Sequence, residues 1–67
     1  MYLIRESTNP DIIRLDAQTA KIPAEVTARA TRMELWGSSF NDPGDDFCEI
    51  VLFDATGEIE RVRVPGY

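Results

Sequence analysis

A mainly β fold, a small antiparallel sheet of four or five strands in one or two layers, is what this 67-residue sequence predicts. Three observations predict it. The stretch Phe47–Val64, FCEIVLF-DATG-EIERVRV, alternates on either side of a turn and reads as a β-hairpin. Thr31–Trp36 alternates again, and the turn-rich GSSFNDPGDD of residues 37–46 joins it to that hairpin, extending it into a meander. Tyr2–Arg5 is a short apolar run that ends in Ser7-Thr8-Asn9-Pro10, which is strong turn chemistry. Beside these strands there is room for at most one short helix, within residues 17–31. No linker divides the chain, so residues 1–67 read as one small domain.

Taken in order, Tyr2–Arg5 is the first strand. Ile12–Leu15 is a second short apolar run that can pair with it through the intervening turn, and Asp16–Ala20 carries a weak helical signal. Pro23–Trp36 is the ambiguous segment. Pro23 suits a first helical position and Glu25 a first turn, and Val26, Ala30 and Met33 fall on one helical face. Leu35 would then lie on the opposite side, and Val26, Thr27 and Thr31 are β-branched. As a strand, Met33 and Leu35 share one face while Arg32, Glu34 and Trp36 share the other. The apolar parity changes upstream, which a bulge near Thr31 reconciles. The segment therefore reads as strand over 31–36, and as strand in preference to helix over 23–30.

In the hairpin, Asp54 suits the start of a turn, and Gly57 supplies the positive φ of a three-residue loop with a bulge. That turn sets Asp54 opposite Glu58 and Phe53 opposite Ile59. Counting outward pairs Leu52 with Glu60, Val51 with Arg61, Ile50 with Val62, Glu49 with Arg63 and Cys48 with Val64. One face then holds Cys48, Ile50, Leu52, Val62 and Val64, with Glu60 its only charge; this is the core face by composition. The other holds Phe47, Glu49, Val51, Phe53, Ile59, Arg61 and Arg63, where Glu49 and Arg63 form a cross-strand ion pair worth ~0.2–1 kcal/mol. A slip of one residue would expose the whole apolar set, which pins the register.

Composition narrows the function. A chain this short buries only about 60% of its unfolded surface, so it needs either a well-packed monomer or a partner copy. The single Cys48 makes no internal disulfide, and without histidine there is no Cys/His zinc set. Cys48 reads as a buried structural thiol, since no histidine exists to activate it. No apolar run approaches the ~18 residues of a membrane span, and no leader pattern is present, so a soluble, cytoplasmic protein is expected. The net charge of −5 is uneven: residues 1–33 carry +1 and residues 34–67 carry −6. Direct binding to nucleic acid or to an anionic membrane needs clustered Lys and Arg and is not expected. A protein partner with a basic surface is.

Candidate residues follow from the same pattern. Asn41, Asp42, Asp45 and Asp46 crowd oxygen ligands into one loop, but their spacing lacks the alternation and terminal Glu of an EF-hand, so a solvated turn is the plainer reading and no metal is assigned. Asp42, Asp45, Asp46, Glu49, Asp54, Glu58 and Glu60 could imitate a nucleic-acid backbone, though the hairpin register splits Glu49 and Glu60 between faces. Trp36, Phe47, Val51, Phe53 and Ile59 share the face opposite the core. They form either an exposed apolar patch or a layer covered by the N-terminal strands. Ser38 and Ser39 have no histidine partner, adjacent carboxylates such as Asp45 and Asp46 diverge, and no glycine-rich phosphate loop occurs.

The expectation is thus a non-enzymatic binding module without a cofactor, acting by protein–protein contact as an inhibitor or regulator. Asp42, Asp45 and Asp46 would steer association, and Trp36, Phe40 and Phe53 would anchor it. The alternative is a homo-oligomer that holds a small anionic ligand, such as a nucleotide, between protomers through Arg29, Arg32, Arg61 and Arg63.

Overall fold

The computed structural model describes residues 1–38 and 47–65. Four strands, β1 (Tyr2–Ser7), β2 (Arg32–Gly37), β3 (Phe47–Asp54) and β4 (Gly57–Pro65), form one open antiparallel sheet in the order β1-β2-β3-β4. Two helices, α1 (Pro10–Thr19) and α2 (Ala24–Thr27), lie between β1 and β2 in sequence. The fold is mainly β, as the alternation predicts, and it ends in the expected hairpin.

The helical connection departs from expectation. Ile12–Leu15 is not a strand paired with Tyr2–Arg5 but the middle of α1, and β1 pairs with β2 instead. The turn chemistry at Asn9-Pro10 is a helix start. Asn9 Oδ1 accepts a 2.9 Å bond from the Asp11 amide, Pro10 occupies the first helical position, and Asp11 places a negative charge in the first turn. Ile13 and Ala17, four residues apart, point one face of α1 at the sheet. Residues 23–30 form no strand; Pro23 opens the single turn of α2.

A Schellman-type arrangement ends α1. The Lys21 amide bonds Gln18 O and the Ile22 amide bonds Ala17 O, with Lys21 left-handed at φ 59°. Ile22 then drops into the core. That core gathers Ile13, Ala17, Ile22, Met33, Leu35, Cys48, Ile50 and Leu52, with Met33 and Leu52 fully enclosed. In β2 the burial alternates as predicted, with Met33 and Leu35 inward and Arg32, Glu34 and Trp36 outward. Gly37 is required by a close approach, since a Cβ there would meet Ile4 Cδ1 at 2.9 Å and the Tyr2 ring at 3.0 Å.

The hairpin register matches expectation from Leu52–Glu60 outward to Cys48–Val64 and differs at the tip. Asp54 pairs with Gly57 rather than Glu58, and Phe53 pairs with Glu58 rather than Ile59. Asp54 Oδ1 takes bonds from the Thr56 amide (2.8 Å) and hydroxyl (2.5 Å), while Gly57 adopts φ 123°. The turn is therefore one residue tighter, and the surplus residue, Ile59, becomes a bulge. The bulge moves Ile59 off the face expected for it and packs it against the core. Among the described residues no helix is long and apolar enough to cross a membrane.

A left-handed lysine costs about 1–2 kcal/mol, and a glycine there gives back about 0.5–1 kcal/mol in unfolded-state entropy. Lys21→Gly is therefore expected to raise stability by roughly 0.5–1 kcal/mol, a gain of several degrees in the thermal midpoint. A lower midpoint by circular dichroism would contradict the assigned helix end.

Candidate functional site

The helices cover one face of the sheet; the other face carries the candidate site. Pairing across the strands arranges that face in rows. Leu3, Trp36, Glu49 and Arg63 lie side by side in one row. Glu6, Glu34, Val51 and Arg61 form the next. Arg32, Phe53 and Glu58 form the third.

Neither sequence expectation for this face holds, because it is neither a bare apolar patch nor covered by the N-terminal strands. Arginines from neighbouring strands cover it. Arg32 stacks over the Phe53 ring and Arg63 over Phe47, each 4.0 Å from the centroid. Val51, directly opposite Arg61, is only 1% exposed. The aliphatic stems of long cationic side chains can bury such apolar surface while their heads stay wet.

The guanidinium heads are tied down by carboxylates. Glu49, 5% exposed, receives both Arg61 Nη1 and Arg63 Nη2. Arg61 Nη2 also donates to Glu58 Oε1 at 2.7 Å. Glu6 and Glu34 stand opposite one another, a repulsive pair that Arg32 Nη1 bridges at 3.0 and 2.6 Å. Glu34 Oε1 accepts a further bond, 2.9 Å, from Trp36 Nε1, which fixes the indole on the surface. Beside it lies a hollow of about 250 Å³ lined by Met1, Glu34, Trp36, Glu49 and Arg61. Met1 and Leu3, 48% and 46% exposed, make this corner the apolar part of the face.

The structure thus brings together two of the expected binding residues, Trp36 and Phe53, and three of the alternative set, Arg32, Arg61 and Arg63. Arg29 stands apart, just beyond α2, where its charge adds slightly to the lowering of the Asp54 pKa that the Thr56 hydroxyl and amide mainly cause. Phe40, Asp42, Asp45 and Asp46, and with them the acidic loop, lie outside the described residues. Met1 and Leu3 escaped the sequence reading. The signal that could have found them is register: Leu3 lies opposite Trp36 only once β1 is paired with β2.

Protonation states favour a charged face. Hydrogen bonds from Arg32 and then Trp36 hold the Glu34 carboxyl below its ordinary 4.5, and Arg61 does the same for Glu58. The Thr56 hydroxyl and amide lower Asp54, and burial pushes the Cys48 thiol up. A general acid needs a raised carboxyl pKa, the reverse of what Glu34 and Glu58 have.

These depressed carboxyls are more basic in the unfolded chain, so acid favours unfolding. Stability should be full above the ordinary value of 4.5 and fall as pH drops through the lower folded-state values. Glu34→Gln should shrink that acid-side loss, because one of the linked protons is gone. Urea midpoints at pH 7 and pH 3 check this; equal pH dependence in wild type and variant would contradict it. Comparison with protein-family models, with curated proteins and with solved structures finds no match for the chain.

Proposed function

We propose that the protein is a non-enzymatic binding module that acts by protein–protein contact through the helix-free face of its sheet. The observation that carries this reading is the corner where Leu3 and Met1 stand exposed beside an indole locked by Glu34. A tryptophan already fixed in place loses little freedom on binding, which is the property of an anchor residue. The hollow next to it is lined by Glu34 and Glu49 as well as Arg61, and the whole chain carries −5. Both features favour a partner with a basic surface, with Asp42, Asp45 and Asp46 adding to the attraction at long range.

The alternatives receive less support. Arg32, Arg61 and Arg63 each already hold a carboxylate, so an anionic ligand would have to displace Glu34, Glu49 or Glu58. For the same reason the open-face glutamates do not present an uninterrupted negative row like a nucleic-acid backbone.

Affinity capture from the native host tests the reading when three baits are compared. Wild type should retain a stoichiometric partner. Leu3→Lys should weaken it by about 2 kcal/mol, close to 30-fold, through lost burial and repulsion. Leu15→Ser, at an exposed position on α1, should leave it intact. Reversing Asp42, Asp45 and Asp46 to Lys should slow association and flatten its salt dependence. Equal retention by wild type and Leu3→Lys would remove the proposal.

A further inference from the structure

On the opposite side of the molecule, α1 and α2 leave an open groove of about 410 Å³, within the size range of small-ligand sites. It exists because the residues of the α2 side are small: Ala24, Ala28 and Ala30 face Ile13 and Ile22 across it. Ile13 and Ile22 belong to the main core, so the groove opens directly onto the core and its floor is apolar. A ligand seated there would add contacts to the same cluster that holds the sheet against α1.

Its polar lining is Arg14 with the neutral Gln18 and Thr27. Among the described residues that line the groove, Arg14 is the only charged one and none is a carboxylate. Arg14 is engaged only by Asp11, at 3.0 Å, in a bridge whose two side chains are 66% and 79% exposed. Such a pair is worth little, so an incoming anion competes with it easily. Gln18, at the same rim, makes no side-chain hydrogen bond among the described residues. In a chain of net charge −5, a groove whose described lining has an apolar floor, one guanidinium held only by an exposed aspartate outside the lining, and no carboxylate is complementary to an amphipathic anion. We infer that the α1–α2 groove binds a small amphipathic monoanion, with its aliphatic or aromatic tail on Ile13 and Ile22 and its carboxylate at Arg14.

Titration of the ¹⁵N-labelled full chain with octanoate, octan-1-ol and octyltrimethylammonium, all below micelle formation, tests this by amide chemical shifts. Octanoate should saturably shift Ile13, Ile22 and Ala28, with octanol weaker by about tenfold and the ammonium compound weaker still. Arg14→Gln, at an exposed position, should reduce octanoate to the affinity of octanol while leaving octanol unchanged. Ala28→Leu should fill the groove and weaken both, with a thermal melt confirming its fold. Equal affinity for the three probes, shifts confined to the sheet face, or no shifts at millimolar octanoate would overturn the inference. So would movement of the groove amides on simple dilution, which would mark the groove as a contact between two copies of the chain.

Discussion

Strand β3 is buried on both of its faces, yet among the described residues helices cover only one of them. Residues 48 to 52 are all buried, and side chains alternate, so Cys48, Ile50 and Leu52 face α1 while Glu49 and Val51 face away from it. A sheet in that position needs a second cover. Here the cover is ionic: Arg32 and Arg63 lie over the Phe53 and Phe47 rings, Arg61 stands opposite the buried Val51, and glutamates hold all three. The arrangement resembles a salt-bridge lattice laid over a thin apolar layer, and each part needs the other. Without the carboxylates the guanidinium groups would lose the partners that hold them over this face; without the arginines the nearly buried Glu49 would be an uncompensated charge, which is strongly destabilising.

Among the described residues, side chains already present in the strands supply this cover. The edges are handled in a comparable way. On β1, a bulge between Leu3 and Arg5 turns Ile4 into the core and Arg5 toward α1, where its Nη2 donates to both Asp16 carboxylate oxygens at 2.9 and 3.0 Å. That contact ties the edge strand to the helix layer and satisfies the one buried acid of α1. On β4, Glu58, Glu60, Arg61 and Arg63 put charges along the other edge, which discourages pairing with a further strand.

The two sides of the molecule consequently offer different chemistry. The sheet face is charged and cross-linked by ion pairs, with its exposed large apolar residues among those described at the Met1–Leu3 corner beside Trp36. The helix side is apolar where α1 and α2 part, with Arg14 at the rim. A surface of the first kind is suited to a macromolecular partner, and a groove of the second kind to a small amphipathic one.

Much of this was legible in the residues themselves. The β3–β4 register could be counted outward from Leu52 because a shift of one would turn every apolar side chain over, and the same logic sorted Met33 and Leu35 from Glu34 and Trp36. The α1 helix was not legible. Asn9-Pro10-Asp11 serves a turn or a helix start equally well, and Asp16 sits on the buried face, which breaks the apolar period that would have revealed it. Only Arg5, arriving from another element, makes that aspartate acceptable inside. Ile59 changed face because the tip closed one residue earlier than counted, at a turn held by the Asp54–Thr56 bonds. The cover over Val51 was likewise invisible along the chain. It consists of contacts between residues on different strands, so it comes into being only when tertiary pairing sets Arg32, Arg61 and Arg63 over their neighbours.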